Sequence, residues 1–187
     1  HIHNIKKFGL EVIVAINHFI TDTDKEVKII QEQCTKLGVK VSLCTHWSDG
    51  GNGTKDLANS VVDLCKKSDT SKFKYLYSDQ IPILEKVEKI AKEIYGAIGI
   101  EVNEKIKEQF KKIEQAGFGK FPVCIAKTQY SFSTDPKLKG APSGHTLSIR
   151  EVRLSSGAEF VVVVCGSIMT MPGLPRNPAA DSIKLNN

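Results

Sequence analysis

No stretch of the chain is apolar enough to span a bilayer. The runs 12–16 (VIVAI) and 160–165 (FVVVVC) are far shorter than the ~20 residues a membrane helix requires, and they suit buried strands instead. Arginine is scarce: Arg150, Arg153 and Arg176 are the only ones among 26 basic residues, so the net charge of +5 is carried by lysine. Bidentate readers of phosphate or guanine are therefore few. The lysines are mixed with Glu along helical stretches such as 105–112 (KIKEQFKK), the pattern of a solvated face, so no nucleic-acid partner is expected. The five cysteines, at 34, 44, 65, 124 and 165, form no CxxC pair, and their odd number reads as structural thiols in a reducing intracellular compartment, cytoplasmic or mitochondrial. The five histidines show no HExxH or other ligand spacing, so no metal site built by this chain is expected. Internal repeats and low-complexity tracts are absent.

What is there is ordinary globular material. The 187 residues are 41% hydrophobic and 25% charged, with mean hydropathy −0.17, which excludes a wholly disordered chain. The first residue is His1, and Ile2, Ile5 and Phe8 ahead of Gly9 read as the last turns of an amphipathic helix already under way. The expectation is a fragment of something longer.

Residues 10–17 (LEVIVAIN) form a near-continuous β-branched run, as for a parallel strand covered on both faces. A helix follows, capped at 21–23, with Glu26 in capping-box spacing to Thr23 and Val27, Ile30, Cys34 and Leu37 on one stripe ending at Gly38. Residues 39–45 (VKVSLCT) supply a second strand, and the crossover makes the two parallel. A glycine-bearing loop, 48–53, leads to a helix over 54–67; a short strand, 73–77, precedes a helix from Pro82 to about 95. Composition changes near 101. A helix over 103–116 and strands over 121–126, 146–154 and 158–165 come next, the last two joined by a Ser-Ser-Gly turn. The fold class predicted is α/β: a parallel-sheet, Rossmann-like domain over 1–100, then a smaller α+β domain over 101–187 with an antiparallel hairpin. The stretches 127–145 and 166–181 are long enough to be functional or docked on something else.

In a parallel α/β sheet, ligands bind beyond the carboxyl ends of the strands. Strand one runs into Asn17-His18-Phe19 and strand two into Thr45-His46-Trp47. If the strands are neighbours, Phe19 and the sole Trp face one another across a slot for a flat heteroaromatic ring; the alternative is that both rings plug the core. The loop 49–55 (DGGNGTK) opens a helix whose free N–H groups suit an anion, but it is not a Walker A motif, because Gly-Thr-Lys stands in the wrong order. Cys124 and Cys165 lie in apolar strands, where a thiol is packing. Ser131 and Ser133 have no partner His at a recognisable spacing, and Arg150, Glu151 and Arg153 read as strand ion pairs. No self-sufficient catalytic set is present.

The segments 10–23 (LEVIVAINHFITDT), 44–51 (CTHWSDGG), 94–97 (IYGA), 117–130 (GFGKFPVCIAKTQY) and 166–178 (GSIMTMPGLPRNP) resemble, in order, the formate–tetrahydrofolate ligase family, also found as the synthetase part of one-carbon tetrahydrofolate synthases. AKTQYS and MTMPGLP are long and rare motifs, and the CTHW spelling is closer to the eukaryotic branch. The resemblance implies an ATP-dependent ligase joining formate to tetrahydrofolate through formyl phosphate, with magnesium and a stimulating monovalent cation, and a homo-oligomer when intact. It also implies that Phe19 and Trp47 sandwich the ligand ring, that Leu43 lies at an apolar pocket position, and that Gly50 and Gly51 let backbone approach the ring. Thr170, Met171, Pro172, Gly173 and Leu174 are added as an expected wall of the active-site cleft. The family's P-loop and the basic residue that steadies formyl phosphate belong to an N-terminal domain upstream of His1, a partner within the same polypeptide, so this chain reads as the C-terminal third, with no catalytic residue of its own and inactive alone. Two departures stand out: Ile20, where bacterial members carry Pro, and Ile98, where the family has an acidic residue. The competing readings are a non-catalytic folate- or nucleotide-binding remnant and a basic nucleic-acid module.

Overall fold

A computed structural model describes residues 1–168, 176–178 and 181–183. The chain forms two compact units, His1–Ser78 and Asp79–Asn187, with a mixed α/β architecture.

The first unit is built on a strand–helix–strand crossover. Helix α1 (Ile2–Lys7) leads through Gly9 to β1 (Ile13–Asn17). Helix α2 (Asp24–Lys36) starts on a complete capping box, in which the Glu26 amide donates to Thr23 Oγ1 at 3.3 Å and the Thr23 amide donates to Glu26 Oε2 at 2.9 Å. It ends where Gly38 takes φ +63°, with the Val39 N–H donating to the Cys34 carbonyl and the Gly38 N–H to that of Thr35, the paired bonds of a Schellman motif. Strand β2 (Lys40–Cys44) then lies parallel to β1, from Ile13 opposite Lys40 to Asn17 opposite Cys44. A one-turn helix α3 (His46–Asp49) and a 3₁₀ turn (Gly50–Thr54) lead into α4 (Lys55–Lys67). The stretch 73–77, expected as a strand, is irregular. The Lys74 N–H donates to the Phe8 carbonyl, and Tyr75 is 81% exposed, so its aromatic side chains do not alternate into a core.

The second unit holds α5 (Ile83–Glu93), β3 (Gly99–Glu101), α6 (Glu104–Ile113), β4 (Val123–Ala126), β5 (Thr146–Ser155) and β6 (Phe160–Cys165). Its sheet runs β3-β5-β6-β4, with β3 and β5 parallel, β5 and β6 the antiparallel hairpin, and β4 parallel to β6. A register shift between Ile149 and Glu151 moves the buried positions of β5 from Leu147 and Ile149 to Val152, as a bulge requires. Ile83, Val87, Ile106, Phe110, Val161 and Val163 form the core between sheet and helices. This core sets the division between the units. Because α5 packs its Ile83–Val87 face with the sheet, the contacts divide the chain at 78/79, ahead of the boundary expected at 100/101, and the α+β unit is the larger of the two.

Helix α5 is tied at both its first residue and its Lys86 to the segment that ends α6 and follows it. Pro82, at the N-cap of α5, has no capping side chain, and Glu114 at the end of α6 accepts the Ile83 N–H at 2.7 Å. In return Lys86, fully buried, donates from Nζ to the carbonyls of Gly119 at 2.8 Å and Phe121 at 3.1 Å. Burial pushes the Lys86 ammonium below its ordinary range, opposed by the carboxylates of Asp79 and Glu114. Lys86→Met keeps the length but strands two carbonyls, at an expected cost of about 1–3 kcal/mol, read as a lower urea midpoint at unchanged slope. The folded state sheds the Lys86 proton at lower pH than the unfolded state does. Wild-type stability therefore gains as pH rises from that lowered value towards the ordinary lysine value of about 10.4, and the variant lacks this gain.

Candidate functional site

The parallel register brings the carboxyl ends of β1 and β2 level, and the His18 N–H continues the ladder to the Cys44 carbonyl at 3.0 Å. Beyond that bond the two segments diverge into separate turns. On one side the Phe19 N–H donates to Asp22 Oδ2 at 2.8 Å, and the Asp22 N–H returns to the Phe19 carbonyl at 3.0 Å. On the other, Thr45 holds α3: its Oγ1 donates to Asp49 Oδ2 at 2.6 Å, and its carbonyl accepts from Ser48 and Asp49. Its own N–H donates to the Gly53 carbonyl at 3.1 Å, folding the glycine turn back on the strand end.

Phe19 and Trp47 meet here. Their ring centroids are 6.4 Å apart at an interplanar angle of 57°, and they are 41% and 62% exposed. Neither ring is buried within this chain. A flat ring held between two others needs about 7–8 Å, two contacts of ~3.5–4.0 Å each. The pair is thus tilted and closer than that spacing within the unit. Leu43, opposite Ile16 in the register, is also exposed near the same end of the sheet. Gly50 takes φ +55° and ψ −140°, a conformation that glycine adopts without strain. A Cβ at Gly50 or Gly51 would meet nothing within 4 Å, so the backbone there is open. The expected cleft wall, Thr170 to Leu174, lies outside the described residues.

Other candidates resolve into structure. Ser131 and Ser133 are buried, with their hydroxyls 2.8 Å apart, and Ser133 Oγ donates to the Asp135 carbonyl at 3.1 Å. Arg153 pairs with Glu151 through Nε at 2.5 Å. Cys165 is buried, and burial pushes its thiol up to about 11, with the Lys127 charge opposing; Cys124, expected as inert packing, is exposed. One cluster was not anticipated. Lys127 places its ammonium 4.6 Å from the Tyr95 ring centroid and 6.0 Å from that of Phe132, and donates to the carbonyls of Thr128 and Ser131, closing the loop that begins at 127. Its pairing across distant segments left no local spacing to read.

The formate–tetrahydrofolate ligase family model matches residues 1–187. The chain belongs to the formate–tetrahydrofolate ligase family. It is 63% identical to the formate–tetrahydrofolate ligase of Pelagibacter ubique (strain HTCC1062), over 100% of this chain and 33% of that protein. It is 59% identical to that of Hyphomonas neptunium (strain ATCC 15444), again over 33% of the relative, and 56% identical to that of Beijerinckia indica, over 34%. The chain therefore spans about a third of the length of these curated family members. All three are bacterial, whereas the CTHW spelling pointed to the eukaryotic branch.

Thr45 and Gly53 are the supports that sequence reading passed over; the Thr45–Asp49 spacing of four residues was the available signal. A Cβ on Gly53 would stand 2.5 Å from the Thr45 carbonyl carbon and 2.7 Å from the His46 nitrogen, both backbone atoms. Gly53→Ala is expected to cost about 1–3 kcal/mol and to change the emission of Trp47, the only Trp in the chain. An unchanged spectrum and midpoint count against this support.

Proposed function

We propose that this chain carries the pterin-binding slot of an ATP-dependent ligase that joins formate to tetrahydrofolate, giving 10-formyltetrahydrofolate. The observation that carries the reading is the exposed Phe19–Trp47 pair at the carboxyl ends of two adjacent parallel strands. A pterin is planar with polar edges. Two aromatic faces bind the plane, and the open backbone at Gly50 and Gly51 serves the edge.

In this reaction ATP transfers its terminal phosphoryl group to a formate oxygen, giving formyl phosphate and ADP. The folate N10 then attacks the formyl carbon, phosphate leaves, and the amine loses its proton. The present residues orient the pterin for the second step and keep water from its faces. The phosphoryl step is assigned to the remaining two thirds of the ligase. The 49–55 loop lacks the Walker A order, with Gly-Thr-Lys where that motif has Gly-Lys-[Ser/Thr].

Aromatic stacking contributes about 0.5–1.5 kcal/mol per pair beyond area burial, and 1.4 kcal/mol is tenfold in affinity. Trp47→Ala in the intact ligase is therefore expected to raise the tetrahydrofolate KM about tenfold while leaving the KM for ATP and formate in place. Unchanged folate kinetics would sink the slot. The 187-residue chain alone is expected to show no formate- and folate-dependent ATP hydrolysis, and measurable turnover would overturn the assignment of phosphoryl chemistry to the rest of the polypeptide.

A further inference from the structure

Strands β4 and β6 run parallel with Ala126 opposite Val164, so the next residue of each, Lys127 and Cys165, stand side by side at one end of the second unit's core. Cys165 is 1% exposed and belongs to that core with Val161 and Val163. Lys127 reaches across the same end. Its Nζ is 4.6 Å from the ring centroid of Tyr95, just past α5, and 6.0 Å from that of Phe132, and its charge acts on the Cys165 thiol.

The loop that starts at Lys127 is folded around this ammonium. Nζ donates to the carbonyls of Thr128, at 3.1 Å, and Ser131, while Phe132 meets Tyr95 edge to face with centroids 5.8 Å apart. The Phe132 N–H donates to the Gly140 carbonyl at 2.8 Å and the Gly140 N–H to that of Tyr130 at 3.0 Å, which closes the loop on itself. Inside it Ser131 and Ser133 are buried, and the amides of Ser133 and Asp135 donate to Ser131 Oγ at 3.0 Å and Ser133 Oγ at 3.1 Å. Thr134 backs onto the residue after Cys165: a Cβ on Gly166 would stand 3.0 Å from the Thr134 carbonyl oxygen.

The interior of this loop is thus hydroxyls and carbonyls around one cation, and its Tyr130 and Leu138 are exposed. Segments that bury little apolar area open at lower cost than the core beneath them. The ammonium spans the opening, bonded to loop carbonyls and seated on a ring from outside the loop, and both contacts draw on its charge. Burial holds that ammonium below the ordinary lysine range, so the contacts keep it charged against a cost.

We propose that residues 127–140 are a latched flap, opening and closing as one unit over the Cys165 end of the core, with the charge of Lys127 as the latch. Without that charge the Thr128 and Ser131 carbonyls lose their donor while the lysine stem still packs, and the flap shifts towards its open form. The inference uses no part of the pterin reading.

Residue-resolved hydrogen exchange on the intact ligase tests it. The amides of Phe132, Ser133, Asp135 and Gly140 are expected to share one protection factor, about 100-fold below those of Val161 and Val163. Protection as deep as that of Val161 puts opening at global unfolding and overturns the flap, as does scatter among the four amides. Alkylation by iodoacetamide, read on the peptide that holds Cys165, reports the open form. In Lys127→Met, which keeps the stem and removes the charge, the four amides and Cys165 alkylation are expected to quicken together by about tenfold, the equivalent of 1.4 kcal/mol, with Val161 unchanged. Loop amides that quicken while Cys165 stays inert overturn the placement over Cys165. In Lys127→Ala the gain is expected to be reversed by propylammonium, which matches the deleted atoms, and not by propanol. No change in Lys127→Met, or equal rescue by both additives, assigns the hold to the stem and overturns the latch. Should either variant lose protection at Val161 as well, the pattern of the unaltered ligase decides.

Discussion

Everything at the candidate site depends on the parallel pairing of β1 with β2 in a register that sets Asn17 opposite Cys44. A slip by one residue would send Phe19 and Trp47 to different levels and reverse the face of every side chain on one strand. The register is held by the crossover helix, whose two ends are both chemically marked: the reciprocal Thr23–Glu26 box at the start and the left-handed Gly38 at the stop. With both ends fixed, the length of α2 is fixed, and so is the point at which β2 begins.

Each of the two strands runs into a turn stabilised by a side-chain carboxylate on a backbone or hydroxyl group close in sequence, Asp22 for Phe19 and Asp49 for Thr45. These are local bonds, each contributing about 1 kcal/mol at an exposed position, and they position the backbone at the two aromatics. The second unit is organised in the opposite way. Its buried valines on β6, the capping of α5 by Glu114, and the bonds from Lys86 to the Gly119 and Phe121 carbonyls make a core with a charge satisfied inside it. A buried ammonium on two carbonyls fixes one geometry, because any other leaves a charge unpaired.

Much of this was legible in the residues. The capping box, the Gly38 stop, the Pro82 start and the apolar strands all rest on local chemistry, and the Phe19–Trp47 pairing came from two strand ends and one crossover. The features that could not be read are those that depend on distant partners. The boundary between the units hinges on α5 packing with a sheet whose strands lie beyond residue 98, and the Lys127 cage joins Tyr95 to Phe132 across two elements. The 73–77 stretch failed for the reverse reason. Its alternating aromatics have strand propensity, but among the described residues the segment joins no strand ladder, and propensity without a ladder does not make a strand.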